Sequence, residues 1–325
     1  MTIESNNLMD DLKEARPNLK ENTIKQYMTN LKKLKSLFDT DNYDFLDIPD
    51  NVMDKISHLH YTSQRNHLNA IIVLLMALND KEQYDTLIET YSKKRDELND
   101  KYTEDQKSGV ISDKQSKNFS TTDEIYDMIH KMEIELKPMK KQDNLNSKER
   151  ALLQVFTLFN IYVRLPMRND VAGMESINKR VYNKLTDEDK KSKNYLVLEK
   201  NNMYFVLNKY KTSSKYEELK IEIPKDLKKL LRYFLKVNGM GVLFKSSTGK
   251  ALTRNALSQL LIKTSQKYMG KSISTTLLRK AYMSSKYSEV KEEMANDSKI
   301  LGHDVATTGM NVYVKKKNVK ESLKI

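Results

Sequence analysis

The stretch SKKRDELNDKYTEDQKSGVISDKQSKNFS, residues 92–120, is charged, polar and nearly free of apolar periodicity. A segment of that composition is expected to stay solvated and to divide the chain. It reads as a solvated helix end followed by an interdomain linker. The expected organisation is a helical domain at 1–95, a charged tether at 96–120 and a second domain at 121–325. A length of 325 residues leaves room for about two domains, and no internal repeat is visible.

Helical spacing dominates the first part. In ENTIKQYMTNLKKLKSLF, Ile24, Tyr27, Met28, Leu31, Leu34 and Phe38 recur on one face, with Asn22 as the expected N-cap. Lys32, Lys33 and Lys35 fall largely off that stripe. A second helix is predicted in TSQRNHLNAIIVLLMALND, with a buried face at Leu68, Ile71, Ile72, Leu75 and Leu78, a cap at Thr62 or Ser63, and a polar, partly basic start that includes Arg65. After Thr121 a long helix is predicted across SKERALLQVFTLFNIYV, ending before Pro166. Strands are expected at 195–199, 203–208 and 219–223, the last from the alternation of Leu219, Ile221 and Ile223. Helical patterns return in DLKKLLRYFLKV, TRNALSQLLIKTSQKY and STTLLRKAYMSSKY, and GMGVLF reads as a turn into a short strand. The expected class is mainly α with a small antiparallel β-sheet, α+β.

Composition narrows the chemistry. The chain has 57 Lys and Arg against 44 Asp and Glu, a formal charge of +13. A basic surface of this kind suits a polyanion, and phosphate is the one such a chain meets most often. The absence of cysteine removes disulfides, thiol catalysis and cysteine-ligated zinc. His58, His60 and His67 lie together without an obvious carboxylate partner, and no GxxxxGK[ST] cradle is present. No metal or other cofactor is therefore expected. No apolar run approaches the roughly 20 residues of a membrane span, and the polar, acidic N-terminus is unlike a signal peptide. The expected setting is intracellular, away from membranes.

Five residues of the second part are candidates for chemistry. Arg168 in RLPMRNDVAGM follows a buried helix and a proline, an unusual place for a solvated arginine; Asp170 is placed to hold it, and Arg164 competes for the same role. Lys211 in NKYKTSSKY sits in a turn between strands. Arg279 in TTLLRKAY lies inside an apolar helix, where its charge needs a salt-bridge partner or an anionic ligand. His303 and Tyr313 occur in LGHDVATTGMNVYVK, separated by a small polar turn.

Taken in order, Arg168 in PMRND, Lys211 in YKT, Arg279 in LLRK, His303 in LGH and Tyr313 in TTGMNVY resemble the signature of the tyrosine recombinases, the phage-integrase family. The resemblance covers about residues 121–315. The PMRND and YKT forms look closest to integrases of large DNA viruses, virophages and related mobile elements. The resemblance implies that the helical N-terminal domain is a core-binding domain closing a C-shaped clamp on duplex DNA, with Lys32, Lys33, Lys35 and Arg65 as its candidate DNA contacts. It also implies a homo-tetramer on paired sites. Two positions depart from the family pattern. Thr276 stands where a histidine is common, and supplies a hydroxyl without positive charge. The His303–Tyr313 gap is about one residue longer than usual.

The implied reaction fits the residue types. A tyrosine hydroxyl titrates near 10 and is a poor nucleophile at neutral pH; cationic neighbours favour the phenolate. Two guanidiniums fork onto the non-bridging phosphate oxygens, His303 donates to the phosphate or handles the tyrosine proton, and Lys211 protonates the leaving 5′-oxygen. The product is a 3′-phosphotyrosyl link that conserves the bond energy, so rejoining needs neither ATP nor metal. A type IB topoisomerase shares this chemistry, and a DNA-binding protein of the same fold that has lost cleavage is the other alternative.

Overall fold

The computed structural model describes residues 8–78, 81–139 and 144–301. The chain divides into two compact units, 1–111 and 112–325.

The first unit is helical: α1 (Leu8–Ala15), α2 (Glu21–Phe38), a 3₁₀ turn (Asp44–Asp47), α3 (Pro49–Ile56), α4 (Tyr61–Ala77) and α5 (Lys81–Ser108). The apolar stripe of α2 does bury Ile24, Leu31 and Leu34 against Leu68, Ile71 and Leu75 of α4. Its N-cap is Lys20 rather than Asn22, which lies in the first turn. On α4 the cap is His60, whose ring accepts from the Thr62 backbone N–H. Helix α5 runs to Ser108, so the first half of the expected linker is helical. Its inner face is held by the buried Tyr91, whose hydroxyl donates to the Leu46 carbonyl at 2.8 Å. Further along, Arg65 donates to Asn99 and covers the Tyr102 ring.

The second unit begins with α6 (Asp113–Ser116), α7 (Thr122–Leu136) and α8 (Ser147–Arg164). Both α7 and α8 open with reciprocal caps, Thr121 with Glu124 and Asn146 with Glu149. Helix α8 is buried along most of its length, with Leu153, Leu158, Phe159, Ile161 and Tyr162 excluded from solvent. It is the axis against which α7 and three later helices pack: α12 (Lys225–Asn238), α13 (Arg254–Met269) and α14 (Thr275–Leu301).

Between α8 and α12 lie β1 (Glu175–Asn178), α9 (Lys179–Tyr182), α10 (Asp187–Ser192), β2 (Asn194–Leu198), β3 (Met203–Leu207), α11 (Ser213–Tyr216) and β4 (Leu219–Glu222); β5 (Gly241–Val242) follows α12. The strand order is β4-β3-β2-β1-β5. The expected antiparallel sheet is in fact mixed, because β1 pairs with β2 in parallel while the other pairs are antiparallel. A parallel pair needs a crossover, and α9 with α10 provides it. Alternation sorts the sheet: Leu196, Met203, Phe205 and Leu207 face the helical core, whereas Tyr195, Val197, Tyr204 and Val206 meet Tyr182 in a small core on the other face. The class is therefore mainly helical α+β. Among the described residues, no helix is long and apolar enough to cross a membrane.

Candidate active site

Helix α8 stops where Leu165 precedes a proline and turns extended, at φ −133° and ψ 111°. Buried Met167 and Val171 pin the chain on either side of an exposed Arg168. The Tyr162 hydroxyl, coming from the last turn of α8, donates to the Arg168 carbonyl at 3.2 Å. A 3₁₀ turn over Asn169–Val171 then directs Asp170 inward, where its side chain is only 6% exposed.

Arg279 approaches from α14. Ser274 caps that helix by accepting the Leu277 N–H on its hydroxyl and the Leu278 N–H on its carbonyl. Leu277, Leu278 and Ala281 are buried, which leaves Arg279 half-buried beside them. Its Nε is buried with no hydrogen-bond partner among the described residues. Burial lowers the Arg279 pKa, and the nearby Arg168 charge lowers it further; Tyr162 and Asp170 oppose this. Asp170 shows the converse. Burial raises its carboxyl above the ordinary value, and Arg254, Arg168 and Arg279 pull it back, in that order. Tyr162 is held as the neutral phenol, chiefly by burial and then by the Asp170 charge. The charges of Arg168 and Arg279 thus both act on Asp170, together with that of Arg254, which sequence reasoning did not single out.

The direct ion pair of Asp170 is with Arg254, at 2.8 Å, and not with Arg168 as expected. Arg164, the competing arginine, is committed elsewhere. It pairs with Asp226 at 2.6 Å, donates to the Asn160 side chain at 2.7 Å, and lines a separate cleft of about 630 Å³ between α7, α8 and α12.

Lys211 is exposed in the β3–β4 connection, immediately after the buried Tyr210. The root of that connection is tied to the arginine cluster by Asn194. The Asn194 side chain donates to the Asp170 carbonyl at 2.9 Å and to the Lys209 carbonyl at 3.1 Å. Its oxygen accepts the N–H groups of Asn208 and Lys209, at 2.9 and 2.8 Å. Sequence reasoning missed Asn194 as well; an asparagine opening an otherwise apolar strand was the available signal. Thr276 lies exposed in the first turn of α14, one turn before Arg279. His303 and Tyr313 lie outside the described residues.

In the first unit, Lys32 and Lys33 are exposed. Lys35 is engaged with the Asp41 carbonyl and the Tyr43 ring, and Arg65 with α5, so both have local structural roles.

A comparison with protein-family models and with curated proteins finds no match to this chain.

Proposed function

We propose that the chain is a site-specific DNA recombinase that cleaves and rejoins duplex DNA through a 3′-phosphotyrosine intermediate. The observation that supports this best is the Arg279 Nε, buried without a partner among the described residues, in a cluster where Arg168 and Arg279 both act electrostatically on one buried carboxylate. Three guanidiniums act on that one carboxylate, so positive charge is in excess there, and a phosphodiester supplies two oxygens for two forks. A permanently charged guanidinium suits charge that builds on non-bridging oxygens during attack.

In this reading Arg168 and Arg279 grip the scissile phosphate, and Thr276 adds a hydroxyl at its edge. His303 donates to the same phosphate or takes the tyrosine proton. The Tyr313 oxygen attacks phosphorus and the 5′-oxygen leaves, taking a proton from Lys211. Reversal by a 5′-hydroxyl of another strand completes exchange. The partner is double-stranded DNA, bound by a homo-tetramer across two sites, with Lys32 and Lys33 as the first unit's candidate backbone contacts. The reaction as written draws on side chains alone.

The test is a nicked suicide substrate incubated in EDTA and run on a denaturing gel. A covalent protein–DNA band is expected from the wild type and none from Tyr313→Phe. A band that persists in Tyr313→Phe overturns the nucleophile assignment. Tight duplex binding with no band from the wild type would favour a binding protein of this fold, and plasmid relaxation without synapsis a topoisomerase.

A further inference from the structure

Arg254 opens α13, and its side chain reaches the carboxylate of the cluster. Its Nη2 contacts the Asp170 carboxylate at 2.8 Å and the Lys209 carbonyl at 3.4 Å. Its own carbonyl accepts from Asn169 Nδ2 at 3.1 Å, and the same amide reaches Ser258 at 2.8 Å. One residue therefore joins the 3₁₀ turn after Arg168, the root of the β3–β4 connection and the start of α13.

Asp170 creates the need for such a residue. Its side chain is nearly buried, and a buried carboxylate without a cation is expensive. The other cations acting on it are Arg168 and Arg279. Were either to close on the carboxylate, its fork would be lost to a ligand. We infer that Arg254 is a positioning residue: by pairing with Asp170 it leaves the guanidiniums of Arg168 and Arg279 to an incoming phosphate. This rests on the phosphate-binding reading of the cluster and adds to it a residue that touches no reacting atom.

The experiment uses the full chain and inorganic phosphate as the probe, so it needs no DNA cleavage. The Arg279 Nε–Hε resonance is followed by ¹H–¹⁵N NMR as phosphate is added, and a thermal melt reports folding. In the wild type the resonance shifts with phosphate. In Arg254→Gln it is displaced before phosphate is added, and phosphate affinity falls about tenfold or more, the scale of breaking a buried charge pair. In Arg254→Gln/Asp170→Asn the competing carboxylate is gone, and affinity returns to within about threefold of wild type. A merely structural tie would make affinity follow the melting temperature across the variants, whereas the inference requires affinity to fall and recover in variants that the melt shows to be folded.

Wild-type affinity in Arg254→Gln, a double variant as weak as the single one, or no Arg279 response in the wild type would each overturn the inference. Should Arg254→Gln fail to fold, the double variant decides. A folded double variant that binds phosphate supports the inference, and an unfolded one assigns Arg254 to the fold and overturns it. A covalent DNA complex alongside a failed Arg254 test removes only this inference. The reverse pattern removes the recombinase reading and leaves a phosphate pocket tuned by Arg254.

Discussion

Asn194 is a buried side chain whose removal has a readable consequence. Its amide satisfies two carbonyls and two N–H groups at once. Asn194→Ala leaves those groups without their partner in a buried place, which should cost about 2–4 kcal/mol in urea denaturation and weaken phosphate binding as well. His67 provides a pH test in the other unit. Burial chiefly, then Lys33, hold its imidazole below the ordinary 6.5, against a hydrogen bond with the Asn30 backbone, and its Nδ1 is buried without a partner among the described residues. The folded state therefore binds the proton less readily than the unfolded chain. Stability from this group is full above 6.5 and declines as the pH falls from there through the lowered value. His67→Gln should flatten that slope in melts taken from pH 7 to 5; an unchanged slope would mean the loss arises elsewhere. Arg168 and Arg279 stand out in the sequence because each breaks its local pattern, whereas Lys211 in a polar turn is singled out only by the resemblance. Asn194 and Arg254 do not stand out, because their roles come from partners distant in the chain.

At the level of elements, periodicity fixed the helices more surely than their ends. The stripes of α2, α4 and α8 predict the helices found, because a buried face must repeat every 3.6 residues. The reciprocal cap of α7 was not read from the sequence, although Thr121 and Glu124 have the required spacing. Thr121→Ala should lower the stability of the second unit by about 1 kcal/mol in denaturant unfolding, with the Glu124–Lys271 pair at 2.9 Å retained. Helix α5 outruns its expected end since a charged helix face and a charged linker look alike in composition, and the difference lies in the residues that α4 covers. Helix α14 likewise continues past Tyr287 to Leu301, and residues 288–296 are largely exposed and offer no buried stripe to read. Strand β1 escaped because it is four residues long and Ser176 is its one buried side chain. Its parallel pairing depends on a crossover that local alternation does not encode.

For the molecule as a whole, the decisive feature is that each unit owns its core. The first draws on residues up to Leu98 and the second on residues from Phe119 onward. Fragments 1–111 and 112–325 should therefore each fold, with cooperative thermal transitions and dispersed amide spectra. A 112–325 fragment that is molten alone would show that its core is incomplete. If it folds, Arg168, Arg254 and Arg279 should respond to phosphate in it as in the full chain, since all three lie in that unit. The charge-rich stretch at 92–120 did mark the neighbourhood of the division. The division at 111–112 falls inside that stretch, and helix α5 occupies its first part as far as Ser108.

The clamp that Asn194 places on residues 208 and 209 also sets a clock. Lys211 lies exposed two positions beyond that fixed corner, so rotations about its own side-chain bonds add to its reach. Such rotations take picoseconds to nanoseconds at an exposed site, faster than the excursions of a loop. In the proposed reaction, proton delivery from Lys211 would then depend on side-chain rotation rather than on a movement of the backbone.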